Sequence, residues 1–391
     1  MRVLLLNDWT GTGGGVERYV LDTAAGLRSA GDDVHLLAAD TGDAADHADT
    51  LVRTSDRALA QSVLQVVNPF AVREARSLLR SFQPDVAYVA MFEMRLSPAA
   101  LAALRPTPIV LNAAYYKPIC PTGLKLRPDG AICSSPAGTV CVSAGCLGPV
   151  HAAREVVRYA FIRREIRRAR AVVTCSAHMR ERLSAQGIDA QFHPWPTGAP
   201  SPEVVRRPSV QPAFAYVGRL APEKGILELL AAFEQVIERV GAARLEIAGD
   251  GPLRGRVEAE IVRRRLARNV TVHGWLDRAN LDAVLATAWA TVVPSQWEEP
   301  LGLVAVESIV RGVPVIASAM GGLTEAVEDG RTGLLVPRDE DGLRAGLLRV
   351  ATGEAFPEQR VDSRAVDDLL ERHDAQRHID WLRRVLGAAA A

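Results

Sequence analysis

Lysine is nearly absent from this chain. Lys117, Lys125 and Lys224 are the only three in 391 residues, so arginine is the default cation and each lysine becomes a position to inspect. Net charge is absent too, because 46 Lys plus Arg balance 46 Asp plus Glu. That balance argues against a protein whose main work is to grip nucleic acid by its phosphates, and any anion must be met locally. No apolar run reaches the length of a bilayer span. The opening MRVLLLND has too short an apolar stretch for a signal peptide, and Asn7 and Asp8 follow at once, so it reads as a first buried strand and a cytoplasmic location is expected. There is no short tandem repeat and no low-complexity tract. What the chain does have is 48% hydrophobic residues over a length sufficient for two packed domains.

The alternation of short apolar runs with helix-length segments predicts parallel sheets wrapped by helices. RVLLLN is followed by Gly11, Gly13, Gly14 and Gly15, then by VERYVLDTAAGLRSAG at helical spacing, which reads as strand, Gly-rich loop and helix. VHLLAA, VAYVAM, PIVLNAA and AVVTCS continue the series. Residues 191–212 are dense in proline without apolar period and read as a linker, after which a second series begins at AFAYVG. The expected division is 1–195, 205–370 and a closing helical segment at 371–391.

In the second series, Gly218 ends a strand, Arg219 follows it, and Lys224 with Gly225 opens a helix. Two cations and a helix N-terminus at the carboxyl end of a parallel strand suit a diphosphate. The competing reading is a surface Arg219 paired with Glu223 and a solvated Lys224. Further on, PSQWEEPLGLVAVES predicts a helix over 301–311 with Pro300 in its first turn and the free amides of Leu301, Gly302, Leu303 and Val304 forming a backbone anion site. If Glu299 and Glu307 both lay in that helix, eight residues of rise would separate them by roughly 12 Å. That is too far for a glycosidase pair at about 5–9.5 Å, so bracketing an extended sugar ligand reads better than a hydrolytic pair, with an N-terminal glutamate complementing the helix dipole and a buried one satisfied by backbone as the equal alternative.

GRLAPEKG, IAGDGP, VTVHGWL, PSQWEEPLGLVAVES and GVPVIASAMGGLTEAVEDGRTGLLVP, in that order, resemble the donor half of GT-B glycosyltransferases of retaining family 4. GTGGGVERYV after the first strand is similar to that family's Gly-Gly loop and helix. The resemblance implies a GT-B fold: two Rossmann-like doubly wound domains facing a central cleft, with a C-terminal helix returning to the N-domain. Glu299 and Glu307 fall on the family's E-x7-E motif. By resemblance, Arg219 and Lys224 neutralise the nucleotide diphosphate, Glu307 holds ribose hydroxyls and Glu299 the transferred sugar. Gly218 and the backbone at Leu301, Gly302, Leu303 and Val304 support phosphate or sugar, and Gly14 and Gly15 approach from the other domain. Trp275 and Leu276 are candidates near the base. The implied reaction is a retaining transfer of a hexose or amino-hexose from a nucleotide diphosphate sugar, UDP favoured over GDP-mannose, to a hydroxyl of a small polar natural product or a glycan. Alternatives are a sugar-nucleotide epimerase of the same fold and an inactive donor-binding subunit. No DxD-type pair is placed to hold a divalent ion, since Asp32-Asp33 and Asp367-Asp368 read as peripheral, so no metal cofactor is expected for catalysis. Where the family often has a histidine after its fourth N-domain strand, this chain has Ala114 and Tyr115, leaving Asn112, Tyr115 or Tyr116 as substitutes.

Two features stand apart. Residues 115–150 form a long Gly- and Pro-rich loop holding Cys120, Cys133, Cys141 and Cys146. Four thiolates would close a tetrahedral structural zinc site; disulfides and free thiols are the rival readings, because no C-x2-C knuckle is present. The arginine-rich helix at 151–170 is read as a solvated face in preference to a peripheral membrane contact. His178 and His273 are read as structural. Nucleic acid and transmembrane segments are not expected.

Overall fold

The computed structural model describes residues 1–9, 11, 14–40, 47–55, 57–197 and 205–391. The chain divides into two compact units, Met1–Pro196 with Asp374–Ala391, and Thr197–His373.

The first unit runs β1 (Arg2–Asn7), α1 (Gly15–Ser29), β2 (Asp33–Ala39), β3 (Thr50–Val52), α2 (Ala58–Leu64), α3 (Pro69–Ser81), β4 (Val86–Val89), α4 (Pro98–Ala103), β5 (Ile109–Asn112), α5 (Val140–Ser143), α6 (Pro149–Arg168), β6 (Ala171–Thr174), α7 (Ala177–Ser184) and β7 (Gln191–Phe192). Its strands pair in parallel in the order β3-β2-β1-β4-β5-β6-β7. Val3, Leu4, Leu5 and Leu6 are all fully buried, because helices cover both faces of a parallel sheet and a central strand has no polar side. The chain order reverses between β1 and β4, which opens a crevice at the strands' carboxyl ends.

The second unit runs β8 (Ala213–Val217), a 3-10 turn (Pro222–Lys224), α8 (Ile226–Val240), β9 (Arg244–Ala248), α9 (Arg254–Arg263), β10 (Val270–Gly274), α10 (Arg278–Thr287), β11 (Ala290–Val293), α11 (Leu303–Ile309), β12 (Val315–Ser318), α12 (Leu323–Ala326), β13 (Gly333–Val336), α13 (Glu340–Ala351) and α14 (Ser363–Arg372). Its parallel order is β10-β9-β8-β11-β12-β13, reversing between β8 and β11. Phe214, Leu229, Phe233, Ile247, Val292 and Ile316 join strands and α8 in one core.

The expected linker begins later than its proline content suggests. Gln191 and Phe192 pair with β6, and Trp195 stacks on Tyr19 of α1 with ring centroids 3.9 Å apart. On the far side, Arg207 and Ser209 donate their amides to the end of α10. Residues 198–204 lie outside the described residues.

The final helix α15 (Ala375–Ala390) belongs to the first unit. Leu382 and Leu386 are fully buried, and Arg383 donates to Asp32 at 2.8 Å. Asp32, read from sequence as peripheral, is therefore buried with an ionic partner. Tyr19 Oη lies 3.0 Å from His378 Nε2 and 2.7 Å from Tyr88 Oη. Gly26 of α1 makes this approach close: a Cβ there would lie 2.6 Å from Ile379 Cγ1. Gly26→Val is expected to lower unfolding free energy by about 1–3 kcal/mol through overpacking. Urea denaturation should show the loss partly relieved by Ile379→Ala in the same chain.

Candidate functional site

Three loops of the second unit close around one carboxylate. Glu299 follows β11 and is 6% exposed; its Oε1 accepts from Lys224 Nζ at 2.7 Å and from Ser295 Oγ at 2.6 Å. Its backbone bridges in parallel to Gly321, and its carbonyl accepts from the Gly322 amide at 2.7 Å. Burial alone would raise the Glu299 pKa, but the Lys224 ammonium and hydrogen bonds from Lys224, Ser295 and Trp297 outweigh it and hold the carboxyl below its ordinary range. Glu299 is thus a buried, ionised group.

Lys224 reaches Glu299 because the turn after β8 presses on the loop after β11. Gly225 has φ 69°, and a Cβ there would lie 1.8 Å from Pro294 O, so only glycine fits. The Gln296 amide donates to Glu223 O at 2.9 Å, fastening the same two loops. Lys224 Nζ also lies 5.2 Å over the Trp297 ring. Arg219 Nη2 meets Glu223 Oε1 at 2.5 Å, with the arginine side chain 62% exposed and Glu223 at 7%. The Arg219–Glu223 pairing weighed as an alternative is present, yet it leaves most of the guanidinium facing out. Gly218 and Leu220 donate amides to Ala248 and Asp250, so the IAGDGP loop backs the Arg219 strand end.

The helix expected over 301–311 is shorter. α11 starts at Leu303, because Gly302 takes φ 81° and Glu299 is held extended against Gly321. Pro300 therefore precedes the helix, and the helical estimate of the Glu299–Glu307 separation does not apply. Leu301 is buried beside this turn, while Leu303, Val304 and Glu307 are partly exposed. Trp275 after β10 is 61% exposed. Ser295, Trp297 and Glu223 were missed as site residues, although PSQW stands directly before the EEP of the motif and Glu223 directly before Lys224.

In the first unit, Gly14 caps α1 and the Glu17 carboxylate folds onto it: a Cβ at Gly14 would lie 2.1 Å from Glu17 Oε2. The helix's own acid thus lies at the end where the resemblance has Gly14 and Gly15 approach the ligand. Gly13 lies outside the described residues. Asn112 is 2% exposed with both amide atoms unpartnered, lining an apolar cavity with Phe92, Leu111, Pro118, Ile166 and Val172. Tyr116 Oη pairs with His178 Nε2 at 2.8 Å, and His273 with Glu246 at 2.7 Å.

Tyr115 meets an unexpected acid. Its hydroxyl lies 2.6 Å from Glu93 Oε2 and 3.1 Å from Ala90 O, and Glu93 is fully buried. Desolvation, then the charge of Asp8, push the Glu93 pKa up to about 7 against hydrogen bonds from Tyr115 and Phe92. Asp8 is the structural partner, accepting from the amides of Met94, Arg95 and Leu96 at 2.7, 2.9 and 2.8 Å. A carboxyl whose folded pKa is raised stabilises the fold fully below its unfolded value, and that contribution is lost as pH climbs through the folded value. From 4.5 to about 7, Glu93 accounts for up to about 3 kcal/mol of stability lost on raising pH across that window. Glu93→Gln, neutral throughout, should flatten that part of the denaturation free energy against pH.

The loop read as a candidate zinc site is held by other contacts. All five cysteines are free thiols, and among the described residues no three His, Cys, Asp or Glu side chains converge to hold a metal. A lysine sits among the thiols: Lys125 is 2% exposed, its Nζ donates to Ser135 O at 2.6 Å, and burial holds its pKa below the ordinary value, with Cys133, Cys120 and Cys141 only partly offsetting that. Cys120 is engaged separately, 3.2 Å from Thr122 Oγ1 and held by amides of Lys125, Gly123 and Leu124. The loop is ordered by a Leu126–Ile132 bridge, by Arg182 on Cys133 O at 2.8 Å, and by Lys117 on Pro121 O at 2.7 Å. Lys125→Ala should speed hydrogen exchange and proteolysis across 115–147, with zinc content unchanged at background.

Comparison with known proteins fits this geometry. The family profile for Glycosyl transferases group 1 matches residues 201–363, and that for Glycosyltransferase Family 4 matches 13–200. The chain therefore belongs to the group 1 glycosyltransferases of GT-B fold. It is 35% identical over 211 residues to a glycogen synthase of Mycobacterium tuberculosis, covering 50% of this chain and 49% of that protein. It is 32% identical over 188 residues to a 2-deoxystreptamine N-acetyl-D-glucosaminyltransferase of Streptomyces fradiae, covering 47% and 44%. The chain thus spans about half the length of the curated relatives it matches. Among solved structures, sucrose-phosphate synthase from Thermosynechococcus elongatus superposes with TM-score 0.72 at 22% identity over 99% of both chains. Anabaena Alr3699/HepE in complex with UDP and glucose gives 0.70 at 18%, again over 99% of both.

Proposed function

We propose that this glycosyltransferase moves a hexose or amino-hexose, with retention, from a UDP-sugar to a hydroxyl of a small polar natural-product or glycan acceptor, without a catalytic metal. The observation that carries the reading is the Lys224–Glu299–Ser295 cluster beside the outward-facing Arg219, at the switch point of the second sheet. As the bond from anomeric carbon to phosphate oxygen breaks, the sugar gains positive and the leaving UDP negative charge. Arg219 and Lys224 stabilise the second, and preorganised charge is worth most there. An incoming diphosphate draws Lys224 toward itself and frees Glu299 to accept hydrogen bonds from the sugar hydroxyls. Glu307 and the backbone at Leu301, Gly302, Leu303 and Val304 complete the donor set, with Trp275 exposed for the base.

The UDP assignment draws support from the Anabaena complex, and the acceptor class from the streptamine-glycosylating relative. Arg219→Ala, Lys224→Ala and Glu299→Gln should each lower turnover of the preferred UDP-sugar by on the order of 10²-fold or more. Wild-type turnover should persist in excess chelator. Near-wild-type rates in both cation variants would defeat the donor assignment.

A further inference from the structure

The first unit carries a buried titratable group that donor chemistry does not use. Glu93 follows β4, Asp8 follows β1 and Tyr115 follows β5, so the three meet at the carboxyl ends of strands flanking the β1/β4 switch point, where open parallel sheets receive ligands. Asp8 and Glu93 are sealed from solvent, whereas Tyr115 is partly exposed, so an incoming molecule meets the set through Tyr115. Glu93 Oε1 is buried without a hydrogen-bond partner.

Counting protons sharpens the picture. The phenol has one hydrogen, yet two oxygens lie within reach, Ala90 O at 3.1 Å and Glu93 Oε2 at 2.6 Å. Both contacts are full two-centre hydrogen bonds at once when Glu93 is protonated, donating to Tyr115 Oη while the phenol donates to Ala90 O; otherwise the one hydrogen is shared or goes to the nearer carboxylate. When Glu93 ionises, it takes the phenol hydrogen, the Ala90 bond is given up, and the polarised Tyr115 oxygen turns its lone pairs outward as a stronger acceptor.

The neighbours leave this switch to Glu93. Asp8 is committed to three amides, which with Arg158 partly offset the rise that burial causes in its own pKa, and its charge opposes ionisation of Glu93. Arg158 of α6 is spent on Glu155, at 2.5 Å, and reaches only the Glu93 carbonyl, at 2.7 Å. Lys117 is turned to Pro121 O, and Tyr159 donates to Lys117 O. None donates a hydrogen bond to the Glu93 carboxyl, although the Lys117 ammonium is near enough to feel its charge.

We propose that Tyr115, with Glu93 as its positioning residue, forms a subsite that accepts a hydrogen bond from the acceptor's hydroxyl and is competent when Glu93 is ionised. This rests on the transferase reading above and deepens it. Ionisation thus sharpens acceptor recognition while costing fold stability, so the two effects run in opposite directions with pH.

The test follows UDP release from UDP-glucose between pH 5.5 and 8.5, with myo-inositol as acceptor and with water alone, neither of which titrates in that range. Wild-type kcat/KM should rise about tenfold per unit below pH 7 and level above it. Glu93→Gln keeps the hydrogen-bonded low-pH arrangement, so its profile should be flat and at least tenfold lower at pH 8, even though the fold is stabler there. Tyr115→Phe should abolish the step and raise acceptor KM, with UDP affinity by calorimetry unchanged within twofold in both variants. A Glu93→Gln profile matching wild type, or unchanged kinetics in Tyr115→Phe, overturns the subsite alone. Failure of the wild type to bind UDP or release it from UDP-glucose at any pH overturns the transferase reading and the subsite with it.

Discussion

Parallel strands buried on both faces are the constraint from which the rest follows. In such a sheet the strand interiors must be apolar, so polar chemistry is confined to the loops at the strand ends. Both units obey this. Val3 to Leu6, Val86 to Val89 and Phe214 to Tyr216 are buried hydrophobic runs, and the polar residues start within a few positions of each run's end: Asn7 and Asp8, Glu93, Arg219. The catalytic candidates are therefore where topology allows them to be, at the two reversals of strand order.

Burial then acts alike on Glu93 and Glu299, and their neighbours decide the outcome. Both carboxyls are removed from water, which favours the neutral form. Glu299 has an ammonium at 2.7 Å and a hydroxyl at 2.6 Å, enough to keep it ionised. Glu93 has a phenol, a weak amide contact at 3.2 Å and the opposing charge of Asp8, with no cation bonded to its carboxyl. One acid becomes a fixed charge and the other a proton-holding group, on the same architecture and at equivalent positions of two sheets.

The alternation of apolar runs made the two α/β series legible, and the ordered motifs pointed to Arg219, Lys224 and Glu299, which lie on loops the structure brings together. What sequence could not give was pairing across distant loops. Glu93 lies in FEMRL with no motif around it, and its partner Tyr115 is 22 positions away. β3 and β7 escaped because two or three residues on a sheet edge leave no periodic signal. The cysteine loop was hard to read for a related reason: four thiols suggest a metal, but nothing in the spacing announced that Lys125, one of only three lysines, is buried among them.

The placement of α15 adds a constraint on how the chain folds. The first unit is discontinuous, since its last helix is separated from β7 by the whole second unit. Leu382 and Leu386 are fully buried in that unit, Gly26 is shaped to admit Ile379, and Tyr19, already paired with Tyr88, finds a second polar partner in His378. Until α15 arrives, the groove beside α1 stays apolar and open, and Tyr19 lacks the imidazole. Closing so long a loop costs little more entropy than closing a short one, because the cost grows only logarithmically with length. Docking can therefore come last without heavy penalty, and the core of the first unit is completed by a helix that follows the whole second unit in the chain.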